Sequence, residues 1–328
     1  MRSLFLTALL LATPVWATQD KAQALYDLAV IPWEQRTKKG ADLMWQAADA
    51  GNDKAQCLIA KGNLQSVWVW SDISYKYFKM AADQNALCGL LALSVDAEGG
   101  VPIMRPKQFE IDNISTGEYE KRLNAILAEQ VARGDVEALK LKGFLSDNKN
   151  EECALFEKAA QKNDPDAQFR LANKIENGCG WYLIPGSRQK AVYYWIEQAA
   201  NHGNPRAMEK MARFAYDAGD FKGMLAWFDK AIDTGNENSL AMASYFLMED
   251  DITSMPLPEQ YQDPVKAYSL NYILWQYNPN NNDEDFSPSI NLKNLDKKLT
   301  KAEKDQAMAW AKEWMKGHQV RTYGLVFN

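Results

Sequence analysis

The sequence predicts an all-α fold, an α/α solenoid of stacked helix-turn-helix repeats. The main observation is a short motif that recurs along the chain, in which paired alanines end one helix and a glycine or asparagine turns into the next. Clear copies lie at 47–51, 81–85, 159–163 and 199–203, a weaker copy at 231–235 and a degenerate one at 131–134. A unit of this kind cannot bury its own apolar face, so it must stack on its neighbours.

At fixed distances from each turn, the same types of residue recur. A bulky apolar residue stands eight positions before the turn, at Leu43, Tyr77, Ile126, Leu155, Trp195 and Trp227. A small residue stands four positions after it, at Ala55, Ala138, Ala167, Ala207 and Ser239. Small side chains let neighbouring helices approach closely, while large ones fill the space beside them. We expect the turn residue to have positive φ, which glycine tolerates and asparagine accepts.

The N-terminus predicts a secretory signal peptide at residues 1–17. One basic residue, Arg2, precedes a short apolar run, and Ala17 ends a Val-Trp-Ala step typical of a cleavage site. We therefore expect a periplasmic protein cleaved after Ala17, with no cysteine nearby to carry a lipid. No stretch is long enough to cross a bilayer, so stable membrane insertion is not expected.

Charge narrows the class of partner. The chain carries a formal net charge of -6, with 47% hydrophobic and 24% charged residues, as in a folded globular protein. A nucleic acid or an anionic membrane needs a basic footprint, so neither is expected as the primary partner.

The repeat motif resembles the Sel1-like repeat family, which is related to tetratricopeptide repeats. The matching segments are Gly51-Asn52 to Ala55-Gln56, Gly99-Gly100-Val101, Gly178 to Gly180, and Lys190-Ala191 to Trp195. The resemblance covers about residues 42–277 and implies a right-handed superhelix. Residues 263–268 resemble the start of one further helix of the repeat.

The predicted organisation of the chain follows from the positions of these repeats. Residues 18–41 are an N-terminal helical cap, 42–277 the solenoid with insertions near 101–117 and 178–187, 278–298 a polar loop, and 299–328 a C-terminal capping helix and tail. Thr300 and Glu303 form a capping box that marks the start of the last helix.

Four cysteines in an exported chain indicate two disulfides rather than free thiols. Cys57 and Cys88 lie early in equivalent helices of successive repeats, while Cys153 and Cys179 lie at facing ends of two antiparallel helices. We expect the pairs Cys57–Cys88 and Cys153–Cys179, although the sequence allows three pairings.

Sequence motifs of catalysis and cofactor binding are absent. The chain has no nucleophile elbow, phosphate-binding loop, zinc-protease motif or dinucleotide fingerprint. His202, in a repeat turn, is interpreted as a solvated surface group. The acidic clusters 249–251 and 283–285 lie in loops, and residues 280–285 fit a solvated loop better than a calcium site. We predict no enzyme, no cofactor and no metal site.

Aromatic residues outside the repeat columns are the candidate partner-binding residues. They are Trp68, Trp70, Trp181, Tyr182, Tyr261, Trp275 and Tyr277. Tryptophan and tyrosine provide large contact areas at low entropic cost, which suits a protein interface. The alternative, that each ring folds back onto the solenoid, is equally compatible with the sequence.

Stacked repeats predict a surface that binds another protein. The family resemblance implies an interaction adaptor, and most concretely an immunity-type protein that neutralises a lipase or phospholipase effector delivered by type VI secretion. The alternative is an envelope scaffold or regulatory adaptor. An unrecognised hydrolase is the least favoured function, because a nucleophile and a base are missing.

Overall fold

The computed structural model describes residues 15–98, 100–248, 257–279 and 287–322, and these are helical apart from turns, loops and one short strand pair. The prediction of an all-α fold built from helical pairs is confirmed. The chain forms two compact units, Met1–Leu127 (unit 1) and Ala128–Asn328 (unit 2). Residues 1–14 of the predicted leader and the acidic clusters at 249–251 and 283–285 lie outside the described residues.

Unit 1 pairs consecutive antiparallel helices. Its elements are α1 (Val15–Glu34), α2 (Lys38–Asp49), α3 (Asp53–Gly62), α4 (Asp72–Asp83), α5 (Leu87–Ser94), β1 (Ala97–Glu98), β2 (Val101–Pro102), α6 (Lys107–Ile111) and most of α7 (Thr116–Arg133). β1 and β2 form an antiparallel pair. The insertion predicted near 101–117 therefore contains β2, α6 and the first residues of α7. The repeat helix α2 begins at Lys38, within the predicted cap.

Unit 2 continues the same pattern. Its elements are α8 (Val136–Phe144), α9 (Lys149–Ala160), α10 (Pro165–Glu176), α11 (Ser187–Asn201), α12 (Pro205–Asp217), α13 (Phe221–Asp233), α14 (Glu237–Leu247), a 3₁₀ turn (Glu259–Tyr261), α15 (Pro264–Tyr277), α16 (Pro288–Leu295) and α17 (Lys301–Gly317). None of the helices in the described part of the chain is long and apolar enough to cross a membrane.

Helix α16 corrects the expectation of a polar loop over 278–298. Ser287 is the residue before the helix, and Pro288 occupies its first turn, where a missing N–H costs nothing. Leu292 and Leu295, three positions apart on one face, pack against the core of unit 2. Because the residues between them are polar, the sequence alone did not indicate this short apolar face.

The repeat turns have the predicted backbone geometry. The turn residues Gly51, Asn85, Gly134, Asn163, Gly203 and Gly235 all have positive φ. An asparagine or aspartate follows in five of these six turns, and its side chain accepts the backbone N–H three residues on. Asn52, for example, accepts from Ala55 at 2.8 Å, and Asp164 accepts from Ala167 at 2.7 Å. The glycine therefore closes one helix while the next residue caps the following one.

The buried core column lies one residue later than the sequence indicated. Seven positions before each turn stand Met44, Phe78, Leu127, Phe156, Ile196 and Phe228, and all six are buried. Of the predicted column, only Tyr77 and Leu155 are buried, while Trp195 and Trp227 are half-buried. Adjacent residues of a helix are about 100° apart, so both columns border the interface but only one faces it fully.

Two buried glutamines connect successive repeats. Gln56 donates to the Ala48 carbonyl, and its own carbonyl accepts from Gln84, the residue before the next turn. In unit 2, Gln168 occupies the equivalent position, and its Oε1 lies 2.9 Å from Nδ1 of His202. His202 is exposed, as predicted, but its ring completes a repeat-to-repeat hydrogen bond.

Both predicted disulfides are confirmed. Cys57–Cys88 joins α3 to α5 in unit 1, and Cys153–Cys179 joins the start of α9 to the residues after α10 in unit 2. The Cα atoms of each pair are about 6 Å apart, at 6.2 and 6.0 Å, a normal separation for a disulfide.

The segment after α17 folds back onto the turn between α13 and α14. The backbone N–H of Arg321 donates to Gly235, and the Arg321 carbonyl accepts from Glu237. A Cβ added at Gly235 would lie 2.1 Å from the Gln319 carbonyl oxygen. Gly235 therefore serves the turn and also makes room for the C-terminal segment.

Replacing this glycine should release the C-terminal segment. We expect Gly235→Ala to destabilise unit 2 by more than the roughly 1–2 kcal/mol that a left-handed alanine costs, because the new Cβ displaces Gln319. Gly203→Ala is the matched control, since Gly203 also has positive φ but has open space around it. Thermal unfolding and tryptic cleavage after Arg321 measure the difference, and equal effects of the two variants would contradict it.

Reduction of the disulfides should weaken both units. The cysteines are 31 and 26 residues apart in sequence, and cross-links closing loops of this size stabilise a fold by about 3–4 kcal/mol in the chain-entropy model. We expect denaturant midpoints to fall when dithiothreitol is added. The double variants C57S/C88S and C153S/C179S separate the two contributions, and an unchanged midpoint on reduction would contradict the prediction.

Candidate functional site

Trp70 is a packing residue of unit 1 and not the exposed loop residue that the sequence suggested. Its side chain is 7% exposed, its ring lies 5.0 Å from that of Phe78, and the Arg105 guanidinium covers it at 5.3 Å. The backbone explains the burial, because the Trp70 N–H donates to Met104 and holds the loop against residues 103–105.

Three of the other candidate aromatics pack on unit 2. The Tyr261 ring lies 5.3 Å from Phe221, and Trp275 lies 6.0 Å from Tyr272. Tyr261 and Tyr277 are half-buried against the core, and Trp275 is at the margin of exposure. These rings fit the alternative stated from the sequence, in which loop aromatics fold back onto the scaffold.

Trp68 and Trp181 are exposed, one in each unit. Trp68, 43% exposed, lies in the loop between α3 and α4, and its carbonyl accepts from the Met104 N–H. Trp181, 85% exposed, lies in the loop between α10 and α11. The seven predicted residues thus occupy different settings within their own units.

The loop at 179–186 has the most exposed apolar side chains of the described residues. Trp181, Leu183 and Ile184 are 85%, 84% and 73% exposed. We call this segment the apolar loop. Tyr182, between them, turns back so that the Arg188 guanidinium covers its ring at 4.8 Å. Burial raises the pKa of the Tyr182 hydroxyl, Arg188 opposes this shift, and Glu157 adds to it.

The root of the apolar loop is held by covalent and charged contacts. Cys179 is bonded to Cys153, and Arg188 donates to the carbonyls of Ile175, Cys179 and Gly180. On the other side, Lys149 donates to the Asn177 carbonyl at 2.7 Å. Charge-assisted hydrogen bonds are stronger than neutral ones, so the loop is fixed at its root while its apolar tip faces solvent.

Loss of Arg188 should loosen the apolar loop. We expect Arg188→Ala to raise chymotryptic cleavage at Trp181–Leu183 by about tenfold or more, because each lost hydrogen bond to a charged group is worth about 1.5–3 kcal/mol. Arg213→Ala, which loses only an ion pair with Asp217 on α12, is the control. Equal cleavage of both variants would show that Arg188 does not hold the loop.

A groove of about 400 Å³ crosses the helices that follow successive repeat turns in unit 2. Its lining comes from α10, α12, α13 and α14, and consists of Phe169, Arg206, Glu209, Lys210, Arg213, Met224, Phe228, Asn238, Met242 and Phe246. Met224 and Phe228 are buried and form the floor, and Phe246 packs 5.3 Å from Phe228. Met242, 40% exposed, projects from α14. We call this feature the unit 2 groove.

The charged groups of the groove differ in how far they are already paired. Lys210 binds Glu176 at 2.6 Å, and Arg213 pairs with Asp217. The Arg206 guanidinium makes neither a hydrogen bond nor an ion pair with any other residue that the structure describes. It lies close enough to Glu209 to act electrostatically on that carboxylate.

Glu209 is a partly buried carboxylate in the same groove. Burial raises the pKa of Glu209, and a 2.6 Å hydrogen bond from the Ser239 hydroxyl and the charge of Arg206 oppose the shift. The groove therefore offers an apolar floor together with a cation and a carboxylate that can still bind a partner.

The groove was not predicted from the sequence, although the sequence of α12 contains an indication of it. Arg206, Lys210 and Arg213 recur at helical spacing on one face, opposite the buried Ala207, Met208 and Met211. A charged face usually means simple solvation. Only the neighbouring helices, which bring Phe169 and Met242 alongside, turn this face into a groove.

The described ranges contain no group of three or more histidine, cysteine, aspartate or glutamate side chains arranged to hold a metal ion. His318, the second histidine, stacks on Trp314 with ring centroids 4.7 Å apart. It lies beside the final helix and outside the groove lining.

No protein-family model and no curated protein matches the chain. Among solved structures, it is similar to a protective antigen present in uropathogenic Escherichia coli strains, described as displaying an SLR fold. That match has a TM-score of 0.46 and 14% identity over 93% of this chain, and spans 62% of the other chain. A second match is a Sel1 repeat protein from Oxalobacter formigenes, with a TM-score of 0.43 and 19% identity over 92% of this chain and 88% of the other.

Proposed function

We propose that this protein is a repeat scaffold that binds another protein, with the unit 2 groove as its main contact surface. The observation that carries the proposal is the groove itself. Helices α10, α12 and α14, each of which follows a repeat turn, contribute Phe169, Arg206 and the exposed Met242, and α13 supplies the buried floor. Central apolar contacts surrounded by polar groups are typical of protein interfaces.

A protein segment fits this groove better than a nucleic acid does. The chain has a net charge of -6, and Lys210 and Arg213 already carry carboxylate partners. A polyanion needs many uncompensated cations along its path. A peptide segment instead needs a place for an apolar side chain and one or two polar partners, which Arg206 and Glu209 supply.

Export to the periplasm is part of the proposal. Two disulfides suit an oxidising compartment, and residues 1–17 have the pattern of a signal peptide. Edman sequencing or mass spectrometry of the chain recovered from the periplasm measures the N-terminus. The expected new N-terminus is Thr18, and recovery of the uncleaved chain from the cytoplasm would contradict it.

The most concrete form of the function is that of an immunity-type protein that neutralises a secreted lipase or phospholipase effector, as the family resemblance implies. The alternative is an envelope scaffold or regulatory adaptor. An inhibition assay distinguishes the two functions, because an immunity protein abolishes the activity of its partner enzyme at equal stoichiometry. A scaffold is recovered with envelope complexes and leaves the activity of any such enzyme unchanged.

Charge reversal in the groove should weaken partner binding. We expect Arg206→Glu to lower affinity by about tenfold or more, since it places two carboxylates together in a partly desolvated groove. Lys222→Glu makes the same change in net charge at an exposed position on α13 outside the lining, and should leave affinity unchanged. The measurement is stoichiometric capture from a periplasmic extract, followed by titration of the captured protein.

Two results would overturn the proposed groove. One is a captured partner that binds Arg206→Glu and Lys222→Glu equally well. The other is the absence of any stoichiometric partner for the wild-type chain. The truncation Met242→Ala adds an independent test of the apolar part of the groove, because its side chain is exposed and its loss should leave the fold intact.

A further inference from the structure

The apolar loop is not explained by the repeat architecture. Trp181, Leu183 and Ile184 leave the core entirely, and isolated helical repeats gain nothing from exposing them. A loop with this composition would be expected to collapse onto the nearest helix. Here the disulfide at Cys179 and the three carbonyl contacts of Arg188 hold its root instead.

The loop begins where the unit 2 groove ends. Lys210, a lining residue of the groove, binds Glu176 and Asn173, both in the last turn of α10. The next residues, Asn177 and Gly178, lead directly into Cys179 and the apolar tip. The groove and the base of the apolar loop are therefore connected through Lys210 and the last turn of α10.

Charge favours a protein over a lipid surface as the occupant. Membrane-binding loops combine apolar tips with free cations that attract anionic headgroups. At the base of this loop, Lys149 and Arg188 direct their donors at backbone carbonyls and Glu157 lies near Tyr182, while Lys190, in the first turn of α11, is exposed. The whole chain is acidic. A fixed loop also loses little entropy on binding, which suits insertion into a preformed cleft.

We propose that the apolar loop inserts Trp181, Leu183 and Ile184 into a concave apolar cleft on the same protein partner that occupies the unit 2 groove. The inference rests on the proposed function, and it adds the chemistry of the partner, which must present a cleft that accepts aliphatic and aromatic side chains. Arg188 is a positioning residue that holds the loop in the inserted geometry and itself stays outside the cleft.

The first test measures affinity for the partner protein captured by the wild-type chain. The triple variant W181A/L183S/I184S should bind at least about thirtyfold more weakly, as truncation of central interface residues does. Its side chains are exposed, so circular dichroism and the melting temperature should be unchanged. Trp310→Ala, which removes an exposed tryptophan on α17, is the control and should bind like the wild-type chain.

The second test identifies what the loop touches. The photoreactive residue p-benzoylphenylalanine is placed at Leu183, or at Lys222 as the control, in full-length protein produced in cells. Cross-linking from position 183 alone to the captured partner supports the inference. Cross-linking to lipid, or a blue shift of Trp181 fluorescence on vesicles of phosphatidylethanolamine and phosphatidylglycerol, would overturn it.

The two proposals fail in different ways. If the triple loop variant binds as tightly as the wild-type chain while Arg206→Glu does not, the loop inference is wrong and the groove remains. If the loop variant loses binding and Arg206→Glu does not, the loop is supported and the groove is wrong. If no partner is captured at all, both are wrong.

Discussion

The whole structure depends on one tight turn that is repeated along the chain. A residue with positive φ ends one helix, and the asparagine or aspartate directly after it is the N-cap of the next helix. The short connection forces the two helices to run antiparallel and close together, which only small residues allow. Ala55, Ala167 and Ala207 are accordingly fully buried. In the second copy the corresponding residue is Gly89, where a Cβ would lie 2.3 Å from the backbone nitrogen of Ala82.

The turns and the pairing of the cysteines could be predicted because both depend on local chemistry and fixed spacing. The sequence could not show which of two adjacent positions forms the core column, because both are apolar in each repeat. Examples are Tyr77 with Phe78 and Trp195 with Ile196. Which of two adjacent apolar residues faces the neighbouring helix is decided by packing. The same limit explains Trp70, whose burial depends on a backbone pairing with Met104 that no local pattern encodes.

Helix α16 and the unit 2 groove show a second limit. Pro288 and Leu295 are separated by mostly polar residues, so the sequence of this segment is typical of a loop. Its helix depends on packing against the core of unit 2. The groove requires residues from α10 to α14 to come together over a long stretch of sequence. Periodicity identifies the faces of single helices, but a binding surface is a property of several helices at once.

The departures from the repeat are where recognition is expected. Regular copies supply the packing positions, and their polar side chains serve the scaffold, as Gln168 and His202 do when they bond one repeat to the next. In the segment from Cys179 to Gly186, Cys179 and Tyr182 pack on the core of unit 2, whereas Trp181, Leu183 and Ile184 do not. Its root is nevertheless fixed by a disulfide and by Arg188, which also covers Tyr182. Fixing the base of a loop whose tip stays exposed suits the proposed binding role, because a loop already in its bound shape loses less entropy when a partner closes over it.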